Sequence, residues 1–292
     1  MFFTGYLAQP IIRSIAYCIV FIASLYIYGG FDRNNQRSII QRFISSFISC
    51  GIIFADSLSF TQRPNTSPWS FDSYDFSGLF IRRENPLLAI FLPFLTTTLL
   101  FLAPIWCEWR SRRFLTAKDI LTELRYKCDI IWLRAVVVAP LVEEIIFRGC
   151  ILFQLQRQFQ TCGALCLGSG LLFAIAHSHH VVEKLYIGYP LNAALSEVFP
   201  QVIMTAMFGV YSTLIVLRSG HLIAACIVHS FCNAMGAPDI LGDLKYVALS
   251  DPRRGKRIYL TLLFSGFIGW LLLIGPATTL FGFSNTTQCR LF

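Results

Sequence analysis

Long apolar blocks alternate with short polar stretches along the whole chain. A helix needs roughly 20 mainly apolar residues to cross a bilayer. Blocks of that kind lie at 6–28, 87–106, 130–152, 198–217 and 258–282, with shorter ones at 163–178 and 221–237. The block 39–60 is weaker, because Arg42 and several serines interrupt it, and it suits either a span or an interfacial helix. Counting that block, the pattern predicts an all-α fold: a polytopic membrane helix bundle of about eight transmembrane helices. No internal repeat or low-complexity tract divides the chain, so 1–292 reads as a single transmembrane domain.

Composition strengthens this picture. Hydrophobic residues make up 55% of the chain and charged residues 14%, against about 25% charged in soluble domains. The mean hydropathy is +0.61. A soluble globule could not hide so much apolar surface. The net charge of +8 would raise nucleic acid as a partner for a soluble protein; here membrane lipid explains it better, because Lys and Arg gather in loops beside anionic headgroups. Most of the ten cysteines lie inside apolar runs and no CxxC pair occurs, so they read as small buried hydrophobes. The first apolar run lacks a basic flank and a clear small-residue cleavage site, which predicts a retained anchor.

Charge also predicts orientation. Odd-numbered loops hold Arg33, Arg37 and Arg42; Arg110, Arg112, Arg113, Lys118, Arg125 and Lys127; Lys184; and Lys245, Arg253, Arg254, Lys256 and Arg257. Even-numbered loops hold only Arg63, Arg82, Arg83, Arg157 and Arg218. The odd loops should therefore be cytosolic and both termini lumenal, an assignment that depends on 39–60 crossing.

Ionisable groups inside spans are expensive and mark function by default. Three clusters stand out. The first is Glu143-Glu144-Ile145-Ile146-Phe147-Arg148, just after Ala139-Pro140. Glu144 and Arg148 are four apart and share a helix face, so they can pair. Glu143 points about 100° away, which suits a general base; an ion-pair network bridging helices is the competing explanation. The second cluster is Phe173-Ala174-Ile175-Ala176-His177-Ser178-His179-His180, in which His177 ends an apolar helix one turn beyond Phe173. For His179 and His180, capping of carbonyls or contact with solvent is the better explanation. The third is His229-Ser230-Phe231-Cys232-Asn233. His229 and Asn233 are again four apart and can donate toward one point, as an oxyanion hole requires; a modest interhelical polar contact explains them equally well in isolation. His221, at the start of the same block, reads as interfacial.

Together the clusters bring a carboxylate, two histidines, an amide and a paired arginine to membrane depth on three spans. HExxH, GxSxG and Walker motifs are absent from the sequence. EExxxR at 143–148, FxxxH at 173–177 and HxxxN at 229–233, in that order, resemble the type II CAAX prenyl endopeptidase family. The longer stretches 139–144 and 173–180 resemble its eukaryotic branch, the Ras-converting enzymes. The likeness is strong from about residue 85 to 237, with the catalytic core at about 130–237; the rest matches only in hydropathy and length.

The resemblance implies an eight-helix bundle around a polar cavity, a multi-pass location in the endoplasmic reticulum membrane, and an active site reached from the cytosol. It implies removal of the last three residues after a prenylated cysteine. The substrates would be farnesylated or geranylgeranylated CAAX proteins such as Ras-type small GTPases. It casts Glu143 and His177 as the groups that activate water, His229 and Asn233 as oxyanion donors, and Glu144 and Arg148 as support. No cofactor is implied. A zinc enzyme using Glu143, His177 and His229 as ligands is the first alternative, since two imidazoles and a carboxylate make a sound zinc set. A transporter or inactive scaffold of the same superfamily is the second; the absence of an inverted repeat and the presence of all six site positions weigh against it. The ending Cys289-Arg290-Leu291-Phe292 loosely echoes a CaaX box, but Arg290 stands where an aliphatic residue belongs. Asn65 and Asn285 begin glycosylation-type sequons on the expected lumenal side.

Overall fold

The structure is a computed structural model that describes residues 3–27, 34–62, 75–81, 86–112, 119, 122 and 128–279. The sequons at Asn65 and Asn285 and the Cys289–Phe292 ending lie outside the described residues. Among the described residues all regular elements are helical. They are α1 (Phe3–Ile27), α2 (Gln36–Ser59), α3 (Pro86–Leu100), α4 (Leu102–Arg112), a long α5, α6 (Cys162–His177), α7 (His179–Tyr186), α8 (Leu191–Ser219), α9 (Leu222–Met235), α10 (Ile240–Ser250) and α11 (Gly255–Thr279). A short 3₁₀ turn, Phe76–Leu79, precedes α3. Helix α5 is assembled from consecutive stretches: Ile130–Leu133, a π-helical Arg134–Val138, Ala139–Glu144, a π-helical Ile145–Ile151, and Leu152–Gln156.

Each predicted apolar block is mainly helical over its described residues, with 87–106 divided between α3 and α4. The weak block 39–60 forms α2, one of five helices among the described residues that are long and apolar enough to cross a membrane. The others are Gln9–Ile27, Cys162–Tyr186, Leu191–Ser219 and Gly255–Thr278. Two further pairs qualify only together, α3 with α4 and α9 with α10, bent by 74° and 54°. This gives five to seven spans on length and apolarity, against an expectation of about eight. Helix α5 does not count on composition, because Arg134, Glu143, Glu144 and Arg148 load it with charge. Its unbroken run from 130 to 156 is nevertheless about 40 Å long at 1.5 Å per residue.

Local chemistry sets several boundaries. Asn35 Oδ1 accepts from the backbone N–H of Arg37 at 3.0 Å and caps α2. Asp129 Oδ1 accepts from Trp132 N at 2.8 Å and starts α5. Thr161 Oγ1 accepts from Ala164 N at 3.3 Å and starts α6. Each satisfies an orphan donor of a first turn. Helix α8 ends at Gly220, whose φ of 70° is left-handed and so favours glycine.

Close packing of α6 on α8 shapes the centre of the bundle. A Cβ on Gly209 would stand 2.8 Å from Gly170 Cα, and one on Gly170 would stand 3.0 Å from Val210 N. Two glycines facing each other let the backbones approach as larger residues could not. The same Gly209 leaves room for Arg148, whose Nη2 would lie 3.3 Å from an added Cβ. The main core lies around α5, where Ile146, Phe147, Cys150, Ile151 and Leu152 are wholly buried. Cys18, Cys50, Cys107, Cys150, Cys166 and Cys226 are free and buried. Cys162 departs from that expectation, being disulfide-bonded.

Candidate active site

The three polar clusters meet. Helix α5 contributes Glu143, Glu144 and Arg148, the C-terminal end of α6 contributes His177, and α9 contributes His229. Glu144 and Arg148 are completely buried, at 0% exposure. Arg148 Nη1 donates to Glu144 Oε1 at 3.1 Å, the i,i+4 pair expected from spacing. The remaining donors of this guanidinium, Nε and Nη2, find no hydrogen-bond acceptor among the described residues. Aromatic faces surround it instead: its Cζ lies 4.2 Å from the Phe173 ring centroid, 5.9 Å from Phe208 and 6.0 Å from Phe147. Such faces attract a cation most strongly where water is excluded.

Glu144 holds the centre of the network. Its Oε1 also accepts from His229 Nδ1 at 2.8 Å, and its Oε2 accepts from Ser212 Oγ on α8 at 2.7 Å. A carboxylate only accepts, so Nδ1 of His229 carries a proton and Nε2 faces away from Glu144. His177 is fixed the same way: its Nδ1 donates to the carbonyl of Phe173 at 2.8 Å, one turn back. Phe173 supports both imidazoles edge-on, with ring centroids 4.5 Å from His177 and 6.0 Å from His229.

Glu143 completes the arrangement. Its Oε2 stands 3.9 Å from His177 Nε2 and 3.8 Å from His229 Nε2. Those separations exceed hydrogen-bond length but are ion-pair distances. In its neutral form His177 Nε2 is an acceptor, and so is an ionised Glu143, whereas His229, its Nδ1–H held by Glu144, can carry a second proton on Nε2. The group that satisfies such a triangle is one that brings two protons, as water does.

Asn233 stands apart from this centre. It is exposed on α9, and its Nδ2 donates to the carbonyl of Ala135 at 2.8 Å. Ala135 lies in the first π-helical stretch of α5, where the wider helical turn changes carbonyl partnering. The structure thus joins five of the six predicted residues directly and ties the sixth to the wall of α5. Ser212, Phe208 and Phe147 belong to the site and escape a reading by motif: a serine in an apolar helix and phenylalanines in a phenylalanine-rich chain give no distinctive signal. His221 is buried at 2% exposure as the N-cap residue of α9.

The family model described as Type II CAAX prenyl endopeptidase Rce1-like matches residues 128–235, the stretch that supplies every residue above. The human protein named CAAX prenyl protease 2 is 32% identical over 283 residues, covering 88% of this chain and 78% of the relative. The chain belongs to the type II CAAX prenyl endopeptidase family. A Caenorhabditis elegans protein of the same name is 26% identical, covering 87% of this chain and 91% of the relative, and one from Saccharomyces cerevisiae is 25% identical over 84% of each. None of the solved structures matches the chain. Glu143, His177 and His229 all lie within the matched segment.

Proposed function

We propose that the chain removes the C-terminal tripeptide from farnesylated or geranylgeranylated CAAX proteins, with Ras-type small GTPases among its substrates. The observation that carries this reading is the approach of Glu143 Oε2 to the Nε2 atoms of both His177 and His229, at 3.9 and 3.8 Å. A water between them donates one proton to Glu143 and one to His177, which exposes its oxygen to the peptide carbonyl. Glu143 takes the proton as general base and returns it to the departing amine. His229 stabilises the oxyanion through an Nε2–H, and Glu144 beneath its other nitrogen is the counter-charge for that imidazolium. Asn233, one turn further along α9, donates from the rim, and its tie to Ala135 sets its orientation. Arg148 holds Glu144 in place.

The reaction as proposed runs on protein groups.

The odd loops face the cytosol in this reading, which places the α6–α7 junction and His177 at the cytosolic end of the bundle, in the endoplasmic reticulum membrane. The disulfide at Cys162, at the opposite end of α6, suits an oxidising lumen. The test is a synthetic farnesylated peptide ending in a CAAX sequence, incubated with the purified chain in lipid vesicles. Mass spectrometry should find the free tripeptide and a prenylcysteine carboxylate. Cleavage elsewhere, or equal cleavage of the unprenylated peptide, contradicts the proposal.

A further inference from the structure

A second polar cluster adjoins the site on its α7 side. Glu183 is buried, at 4% exposure. Its Oε1 receives Arg42 Nη1 from α2 at 2.8 Å and Tyr26 Oη from α1 at 3.1 Å, and its Oε2 meets His180 Nδ1 at 2.8 Å. A buried ion pair tying α7 to α1 and α2 needs only Arg42 and Glu183. It does not need His179, whose ring centroid lies 4.1 Å from that of His180.

We propose that His179, His180 and Glu183 form a binding site for a divalent transition-metal ion, zinc being the natural probe. One donor atom from each of the three lies within 4.8 Å of the others. Two imidazoles and a carboxylate suit zinc, whereas calcium and magnesium want oxygen throughout. The surroundings orient the ligands as metal sites require. His179 Nδ1 donates to the Ala176 carbonyl at 2.5 Å, so its Nε2 keeps a lone pair for a metal. Glu183 is held from behind by Arg42 and Tyr26, as ligand carboxylates usually are. His179 and His180 are only half-buried, so an ion can reach them. The positive charge of Arg42 limits affinity.

The test titrates the metal-stripped chain in detergent with Co²⁺, read by visible absorption, and then with Zn²⁺ by calorimetry. One ion should bind the parent. His180→Gln and, separately, His179→Gln should weaken it at least about tenfold, while Glu143→Gln should bind as the parent does. Monodisperse elution and unchanged helical circular dichroism confirm that each variant is folded. No saturable binding by the parent below about 100 µM overturns the site, and so does binding lost in Glu143→Gln but kept in both histidine variants.

Discussion

Glu144 and Glu143 are neighbours in sequence, yet the structure assigns them opposite sensitivities. Glu144→Gln keeps the shape of the side chain and removes its charge. Two N–H donors, from Arg148 and His229, converge on Oε1, so the amide oxygen must take that position. The new NH₂ then faces Ser212 Oγ, which can turn to accept. Hydrogen bonding therefore survives, and the loss is electrostatic. Arg148, wholly buried, keeps its aromatic contacts in parent and variant alike, so those contacts do not offset the loss. Breaking one side of a buried pair costs roughly 3–5 kcal/mol; with the hydrogen bonds kept, the lower end applies. About 3 kcal/mol is a factor of roughly 150 in the unfolding equilibrium. Glu143→Gln should cost less than about 1 kcal/mol, because this carboxylate is part-exposed and its nearest imidazole nitrogens stand beyond hydrogen-bond length. Denaturation of both variants in mixed micelles measures the contrast. Adding Arg148→Met to Glu144→Gln should recover part of the stability, since no orphan charge then remains. A Glu144→Gln chain within about 1 kcal/mol of the parent refutes the reasoning.

Other outcomes follow from the same contacts. Gly170→Ala drives a Cβ to 3.0 Å from Val210 N and 3.2 Å from Ala206 O, and should cost about 1–3 kcal/mol by overpacking, seen in the same denaturation assay. Ser212→Ala removes a buried donor to Glu144 and should cost about 1–3 kcal/mol, with a smaller loss of cleavage than Glu144→Gln. In a background stripped of other reactive cysteines, Ser178→Cys should react with an impermeant reagent from the cytosolic face and Gly163→Cys should not; the reverse pattern inverts the orientation.

The sequence revealed the helices and the site to different depths. Apolar blocks located the membrane helices because a bilayer demands a run of fixed length, and even the interrupted block 39–60 proved to be a full helix. Arg42, which made that block look weak, is buried against Glu183; a pairing 141 residues apart leaves no trace in local hydropathy. The Glu144–Arg148 pair was legible because i,i+4 spacing is a local property of a helix. The meeting of Glu143 with His177 was not. A straight helix starting at the membrane surface would put Glu143 about 20 Å deep at 1.5 Å per residue, and His177 at the surface. Helix α5 instead starts on exposed Asp129 and carries two π-helical stretches, and the Gly170–Gly209 contact is invisible without knowing which helices are neighbours. His179 proved to cap a carbonyl as its position predicted, whereas His180 turned to Glu183, a partner within reach but indistinguishable from a surface charge in the sequence.

The claim on which the mechanism depends is that Glu143 is the proton acceptor for the attacking water. Single-turnover cleavage of a farnesylated CAAX peptide by folded Glu143→Gln, against the parent at equal enzyme concentration, tests it most directly. The account predicts a rate lower by a factor of about 10²–10⁴ with peptide binding retained, the range a positioned base supplies. Turnover within about threefold of the parent would contradict it.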